Sequence, residues 1–202
     1  MLLTALKEAT HSRHQQIEVH LDLLNRDWTL PFYRRLLEGF HGFYRVVEPN
    51  LLNSEDWAGR GLDMSGRAKL PRLETDLRAM GLSAAQIDAL PVCPQPPRCE
   101  DFPQRLGCLY VFEGSTLGGQ VISRVLGQRL GLSPVSGASF FGGYGPETGA
   151  KWRAFKAFGQ SQSLSPGETE RAATAACACF DNLDCWLAQA LGSNQDSGEP
   201  PL

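Results

Sequence analysis

Several absences narrow this sequence before any motif is considered. No apolar run approaches the roughly 20 residues needed to span a bilayer, so no membrane-crossing role is expected. Basic residues are outnumbered, 19 Lys and Arg against 22 Asp and Glu, and the formal charge is −3. A nucleic-acid surface would carry a basic footprint instead. The six cysteines include no C-x-x-C pair, which leaves a zinc site or redox dithiol without support. They read instead as buried or half-buried thiols behaving as small hydrophobes. Glu8 brings an acid too early for a secretory leader, and the cytoplasm is the expected location.

What is present is an ordinary globular balance, 42% hydrophobic and 20% charged over 202 residues. That is enough for one well-packed core and short for two. Apolar residues recur at helical spacing, without convincing alternation, so the chain reads as one all-α domain over 1–191. Residues 192–202 are expected to form a disordered tail. A first helix runs from Leu2 to Leu24, with Leu6, Thr10, Ile17 and Leu21 on one face. Thr29 caps a second, with Pro31 in its first turn and Phe32, Leu36, Phe40, Phe43 and Val47 on its apolar face. Asn53 to Arg67 reads as a loop. Lys69 to Met80 forms a short helix stopped by Gly81, and Ser83 caps another through Leu90. Residues 91–103 carry five prolines and exclude regular helix. Helical pattern resumes from Gln104 to Leu130, fails over 131–149, and returns from Lys151 to Phe158. Ser165, Pro166 and Glu168 mark the start of a last helix reaching Leu191.

Two features carry chemistry. His14 lies at the edge of the first helix's apolar stripe, with Glu18 one turn later on the same side. A histidine so placed is either a core residue satisfied by one hydrogen bond or a metal ligand whose other nitrogen a carboxylate orients. The second feature is Gly114-Ser115-Thr116-Leu117-Gly118-Gly119-Gln120, inside a strongly helical pattern. Each interior glycine costs a helix about 1 kcal/mol relative to alanine, so three together need a compensating reason. Gly107, Gly114 and Gly118 fall on one side, where bare backbone admits either a closely packed helix or a flat ligand. The stretch is not a phosphate loop, because it lacks the following Lys-Ser/Thr and no strand precedes it.

Leu6-Lys7-Glu8-Ala9-Thr10 followed by His14 and Glu18 resembles the proximal-helix motif of haem oxygenases. The Gly114–Gln120 stretch resembles their distal-helix motif, and the separation of about 100 residues fits as well. The resemblance spans Leu2 to about Leu187. It implies an all-α helical bundle with haem sandwiched between a proximal and a distal helix. Haem b would be substrate and cofactor together, cleaved by O2 to biliverdin, CO and ferrous iron, with electrons from an external reductase or ferredoxin. No C-x-x-C-H is present, so the haem would be held without thioether bonds.

The resemblance also implies roles. His14 would be the proximal iron ligand and Glu18 its supporting carboxylate, with Lys7 pairing a propionate. Gly114, Ser115 and Gly118 would shape the oxygen side, with Gly119 beside them against the haem. Tyr44 matches a distal-side tyrosine, with an ordinary core aromatic as the alternative. Phe180 matches a phenylalanine touching the macrocycle. Further propionate partners are expected among Lys151, Arg153 and Lys156, unless these form a solvated basic face. Better-known members carry aspartate where this chain has Ser115, a hydroxyl that can hold water but supplies no charge. That form of the motif looks most like the bacterial branch supplying biliverdin to bacteriophytochromes.

Two other readings compete. A haem-storing or haem-sensing protein would keep His14 and the glycines but lack turnover. A di-iron carboxylate bundle needs two Glu-x-x-His motifs facing one interior. Glu8 with His11 and Glu38 with His41 have that spacing, but periodicity places Glu8, His11 and Glu38 away from the apolar faces and His41 at the margin, so the groups read as solvated.

Overall fold

A computed structural model describes residues 2–192; the expected tail over 193–202 lies outside the described residues. Within them the chain is all-α, without a strand beyond isolated bridges at Ser133. The elements are α1 (Leu2–Leu21), α2 (Leu30–Leu52), α3 (Asp56–Arg60), α4 (Leu70–Ala79), α5 (Ala84–Asp88), α6 (Phe102–Leu130), a 3-10 turn at Gly145–Glu147, α7 (Thr148–Ser161) and α8 (Pro166–Gly192). No helix among the described residues is long and apolar enough to cross a membrane.

Local chemistry explains most boundaries. Thr29 Oγ1 accepts from the Phe32 amide at 3.2 Å to open α2. At α8, Ser165 Oγ accepts from the Glu168 amide at 3.3 Å while the Glu168 carboxylate accepts from the Ser165 amide at 2.8 Å. This reciprocal capping satisfies two otherwise orphan donors. Asp101 caps α6 by accepting from Gln104 N at 2.9 Å, so Phe102 and Pro103, expected outside the helix, form its first turn. Proline is tolerated there because its missing amide would be unpaired anyway. Gly131, at φ 69°, ends the same helix in the left-handed region.

Other boundaries differ from expectation. The first helix stops at Leu21 rather than Leu24, because Asp22 turns to φ 44° and its carboxylate accepts from Asn25 at 2.8 Å. Leu24 is consequently exposed. The expected loop from Asn53 to Arg67 contains α3, held by Trp57, which is buried against Phe102 and Phe158. The seventh helix begins at Thr148 rather than Lys151 and continues to Ser161. Cys93, Cys108 and Cys179 are buried, but Cys185 is exposed, contrary to the small-hydrophobe reading.

One continuous core joins the long helices, with α8 packed along α1, α2 and α6. Gly107 permits close approach of α6 to α8: a Cβ there would run into the Ala172 carbonyl and lie 3.0 Å from Ala176 N. The segment 139–144 then runs along the opposite side of α6. Glu113 meets Tyr144, Thr116 meets Gly143, and a Cβ at Gly119 would sit 3.0 Å from the Phe141 carbonyl oxygen. Asp76 of α4 holds that segment in place by accepting from Ser139 N and Phe140 N at 2.8 and 2.7 Å.

Candidate active site

The glycine face of α6 changes character along its length. At Gly107 it is filled by the α8 backbone. Two and three turns beyond Gly107 the neighbours fall away. A Cβ at Gly118 would meet nothing within 4 Å, and one at Gly114 only the edge of Trp152, at 3.9 Å. These two glycines therefore are not explained by helix packing, whereas Gly107 and Gly119 are. The stripe divides into one packing glycine, Gly107, and two that leave bare backbone facing space, while Gly119 packs on the opposite side.

The first helix places His14 outside the core. Its side chain is 55% exposed, which removes the core-histidine alternative. Glu18 Oε2 lies 3.3 Å from His14 Nδ1, and the Phe180 ring meets the imidazole edge-on at 5.7 Å between centroids. With the Nδ1 proton directed to the carboxylate, Nε2 keeps its lone pair for a metal. The flanking seam is fixed by Arg13, which donates to both Asp181 oxygens at 2.8 and 2.9 Å, and by Gln16 and His20 on Asp184. Arg13 and Asp181 adjoin His14 and Phe180 in sequence, so the ion pair holds α1 and α8 in register.

Tyr44 of α2 and Ser115 of α6 meet on the other side. Tyr44 is buried against Phe112, 4.4 Å between centroids, so it is a core aromatic as well as a neighbour of the motif. Burial pushes its phenol up, and a hydrogen bond with Ser115 opposes that rise. Ser115 Oγ in turn donates to the Phe112 carbonyl at 2.9 Å.

The three cations of the seventh helix separate. Lys151 Nζ donates to Ser65 O at 2.9 Å and lies over the Tyr144 ring, turned toward the 63–69 loop. Arg153 is exposed. Lys156 lies beside Trp152, the residue nearest Gly114. Two contacts fix its level relative to α1: Gly159 packs against Leu3, and Tyr110, beside Trp152, reaches Thr10. Lys156, one turn before Gly159, and Lys7, one turn after Leu3, therefore lie near the same contact; Lys7 is exposed and two turns before His14.

The di-iron constellation is not assembled. Glu8 and His11 are exposed, Glu38 pairs with Arg34 at 2.8 Å, and no group of three or more His, Cys, Asp or Glu able to hold a metal occurs among the described residues. His41, expected among the solvated groups, is buried, and burial lowers its pKa.

A buried cluster behind the glycines was not anticipated. Glu113, directly before Gly114, is 0% exposed and paired with Arg67 Nη1 and, at 3.4 Å, Lys69 Nζ. Tyr144 donates to Glu113 Oε1 at 2.6 Å and accepts from Lys69 Nζ at 2.8 Å. Glu48, one turn after Tyr44, accepts from Lys69 N and Leu70 N at 2.7 and 2.9 Å. Burial pushes Lys69 down and Tyr144 up, the latter aided by the Glu113 charge.

Comparison with known proteins gives the family and the fold. The Heme oxygenase family matches residues 1–188. A protein named heme oxygenase from Xanthomonas campestris pv. campestris (strain 8004) is 32% identical over 171 residues, covering 84% of this chain and 92% of its own. Among solved structures, the NO- and CO-bound heme oxygenase from Neisseria meningitidis superposes with a TM-score of 0.78 at 20% identity, over 100% of this chain and 99% of that one. Heme oxygenase from Leptospira interrogans gives 0.74 at 18%, over 93% and 98%. The last two show the fold.

Proposed function

The chain belongs to the haem oxygenase family, and from that premise we propose that its reaction is carried out in the cleft between His14 and the open glycines of α6. The enzyme is a haem-degrading oxidoreductase, and the observation that carries the site assignment is the division of the glycines. Gly114 and Gly118 present bare backbone with almost nothing opposite, and His14 is exposed one turn beyond Thr10, which Tyr110 of α6 reaches one turn before Gly114; a planar macrocycle needs such space. When bound, haem supplies the oxygen chemistry and is itself the group opened, to biliverdin, CO and ferrous iron.

The protein's part is placement and control of protons. His14 Nε2 is the iron ligand, and Glu18 holds the Nδ1 proton and the ring orientation. Phe180 supports the imidazole edge and offers an apolar surface to the macrocycle. Lys7 and Lys156, each one turn from the Leu3–Gly159 contact, are suited to the two propionates; that placement favours Lys156 over Lys151, whose ammonium is already engaged, and over Arg153. On the oxygen side the Ser115 hydroxyl donates and accepts, and the buried Tyr44 phenol, neutral across the physiological range, limits its mobility. Electrons come from an external reductase or ferredoxin. The Ser115-Thr116-Leu117 form of the motif supports the bacterial branch whose biliverdin passes to a bacteriophytochrome. One continuous core supports a single catalytic domain over 1–191.

Titration with haemin should give a sharp Soret band at one-to-one stoichiometry, and His14→Ala should abolish or greatly alter it. With O2 and a reductant, Soret decay should be matched by biliverdin absorbance. Tight binding without that conversion would leave a haem store or sensor.

A further inference from the structure

The Glu113 cluster sits on the far side of α6 from the cleft. Glu113 and Gly114 are adjacent in sequence, so their Cα directions differ by about 100° around the helix. The open side has nothing to fix the helix's rotation: Gly114 and Gly118 have no side chains, and Gly118 has no neighbour within 4 Å. A rotation of one residue would replace a glycine with Ser115 or Leu117 and close the surface. Packing of Gly107 on α8 fixes the first turns of the helix and Tyr44 touches Ser115 at its flank, but over Gly114 to Gly118 the front adds no hold, so directional contacts from behind carry the register there.

The groups behind α6 are directional. Arg67 reaches Glu113 through Nη1, the Asp63 carbonyl through Nε at 2.7 Å, and the Lys151 carbonyl through Nη2 at 3.4 Å. Lys69 binds Glu113 and Tyr144 through its ammonium, while its own amide is held by Glu48. Arg67, Lys69 and Glu113 are each almost fully buried. Desolvation makes such clusters a weak source of net stability, and apolar groups of equal volume often do as well. Apolar contacts would nonetheless allow slippage that charge-assisted bonds in fixed directions resist.

We propose that the buried Arg67–Glu113–Lys69–Tyr144 cluster is a positioning device that holds α6 in the rotation at which Gly114 and Gly118 face the cleft. Glu113 is its central positioning residue. It joins the start of the glycine segment to the 63–69 loop and, through Lys151, to the seventh helix carrying Trp152 and Lys156. The proposal rests on the reading that haem lies against those glycines, but its first test needs no haem.

That test is amide hydrogen exchange in the apo-protein, comparing Glu113→Gln with Asp56→Asn. Asp56 pairs with Arg105, which also lies on α6 but near its start, away from the glycines. Both variants should lower the melting temperature. Only Glu113→Gln should speed exchange over residues 112–120, by about tenfold beyond the control, and only it should broaden the ratio of biliverdin isomers. Equal exchange in the two variants, with an unchanged isomer ratio, would reduce the cluster to a structural tie and overturn the proposal. If Glu113→Gln fails to fold, Tyr144→Phe, which deletes one bond to Glu113, takes its place with the same two outcomes. Failure of the wild-type protein to bind haemin would defeat the functional assignment and still leave the exchange comparison decisive here.

Discussion

The two sides of α6 are built by opposite means from the same run of sequence. Behind the helix, Glu113, Thr116 and Gly119 each meet the 141–144 segment, and every polar atom of Glu113 is engaged. In front, Gly107 meets the α8 backbone, but Gly114 and Gly118 meet almost nothing. A saturated back and an unfilled front let one helix serve as both core and cleft wall. Glycine alone does not distinguish the two uses; what stands opposite each missing Cβ does.

The sharpest way to break that contrast is a graded alanine series read by thermal or urea denaturation. Gly107→Ala should destabilise most, by about 3 kcal/mol or more, because the added methyl meets backbone of another helix that cannot move alone. Gly119→Ala should cost less, about 1–2 kcal/mol, since the Phe141 carbonyl can give by a few tenths of an ångström. Gly118→Ala should change stability by no more than about 1 kcal/mol, in the stabilising direction set by helix propensity. A loss at Gly118 as large as that at Gly107 would show that the front is packed after all.

Ligand binding should invert the ranking. Gly118→Val should weaken haemin affinity by about tenfold, equivalent to about 1.4 kcal/mol, while leaving the apo-protein folded. The check is a Soret titration alongside circular dichroism of the apo form. Unchanged affinity would mean that haem does not approach this backbone.

How much of the contrast was legible in the sequence depends on whether its cause is local. Caps at Thr29, Ser165 and Glu168 act within one turn and could be read directly. The spacing of Gly107, Gly114 and Gly118 marks one face, but not that it divides, because the division comes from what other elements place opposite each glycine. Glu113 carries no periodic mark of its partners, because Arg67, Lys69 and Tyr144 lie in irregular segments 31 to 46 residues away. A signal did exist: Glu113 is a lone carboxylate in an otherwise apolar stretch, Leu109 to Phe112, ahead of a motif. Among Lys151, Arg153 and Lys156, sequence spacing offers no choice, since the contact of Gly159 with Leu3 is tertiary.

The smallest expected effect concerns pH, and it separates back from front by charge. Glu48, behind the helix, has its pKa raised by burial despite two backbone N–H donors. Between its ordinary value of 4.5 and the raised folded value, the folded protein keeps a proton that the unfolded chain has released. Stability from this group is therefore greatest on the acid side of that window and falls as pH rises through it. Asp76, also raised by burial, adds a slope of the same sign. Glu48→Gln should lower stability at every pH, because one of the two amides loses its acceptor, and should flatten part of the slope. Gly118→Ala, altering only the open front, should leave the slope as it is. Urea midpoints from about pH 4 to 7 would check both. If Gly118→Ala flattened the slope and Glu48→Gln did not, the titrating load would lie in the cleft rather than behind it.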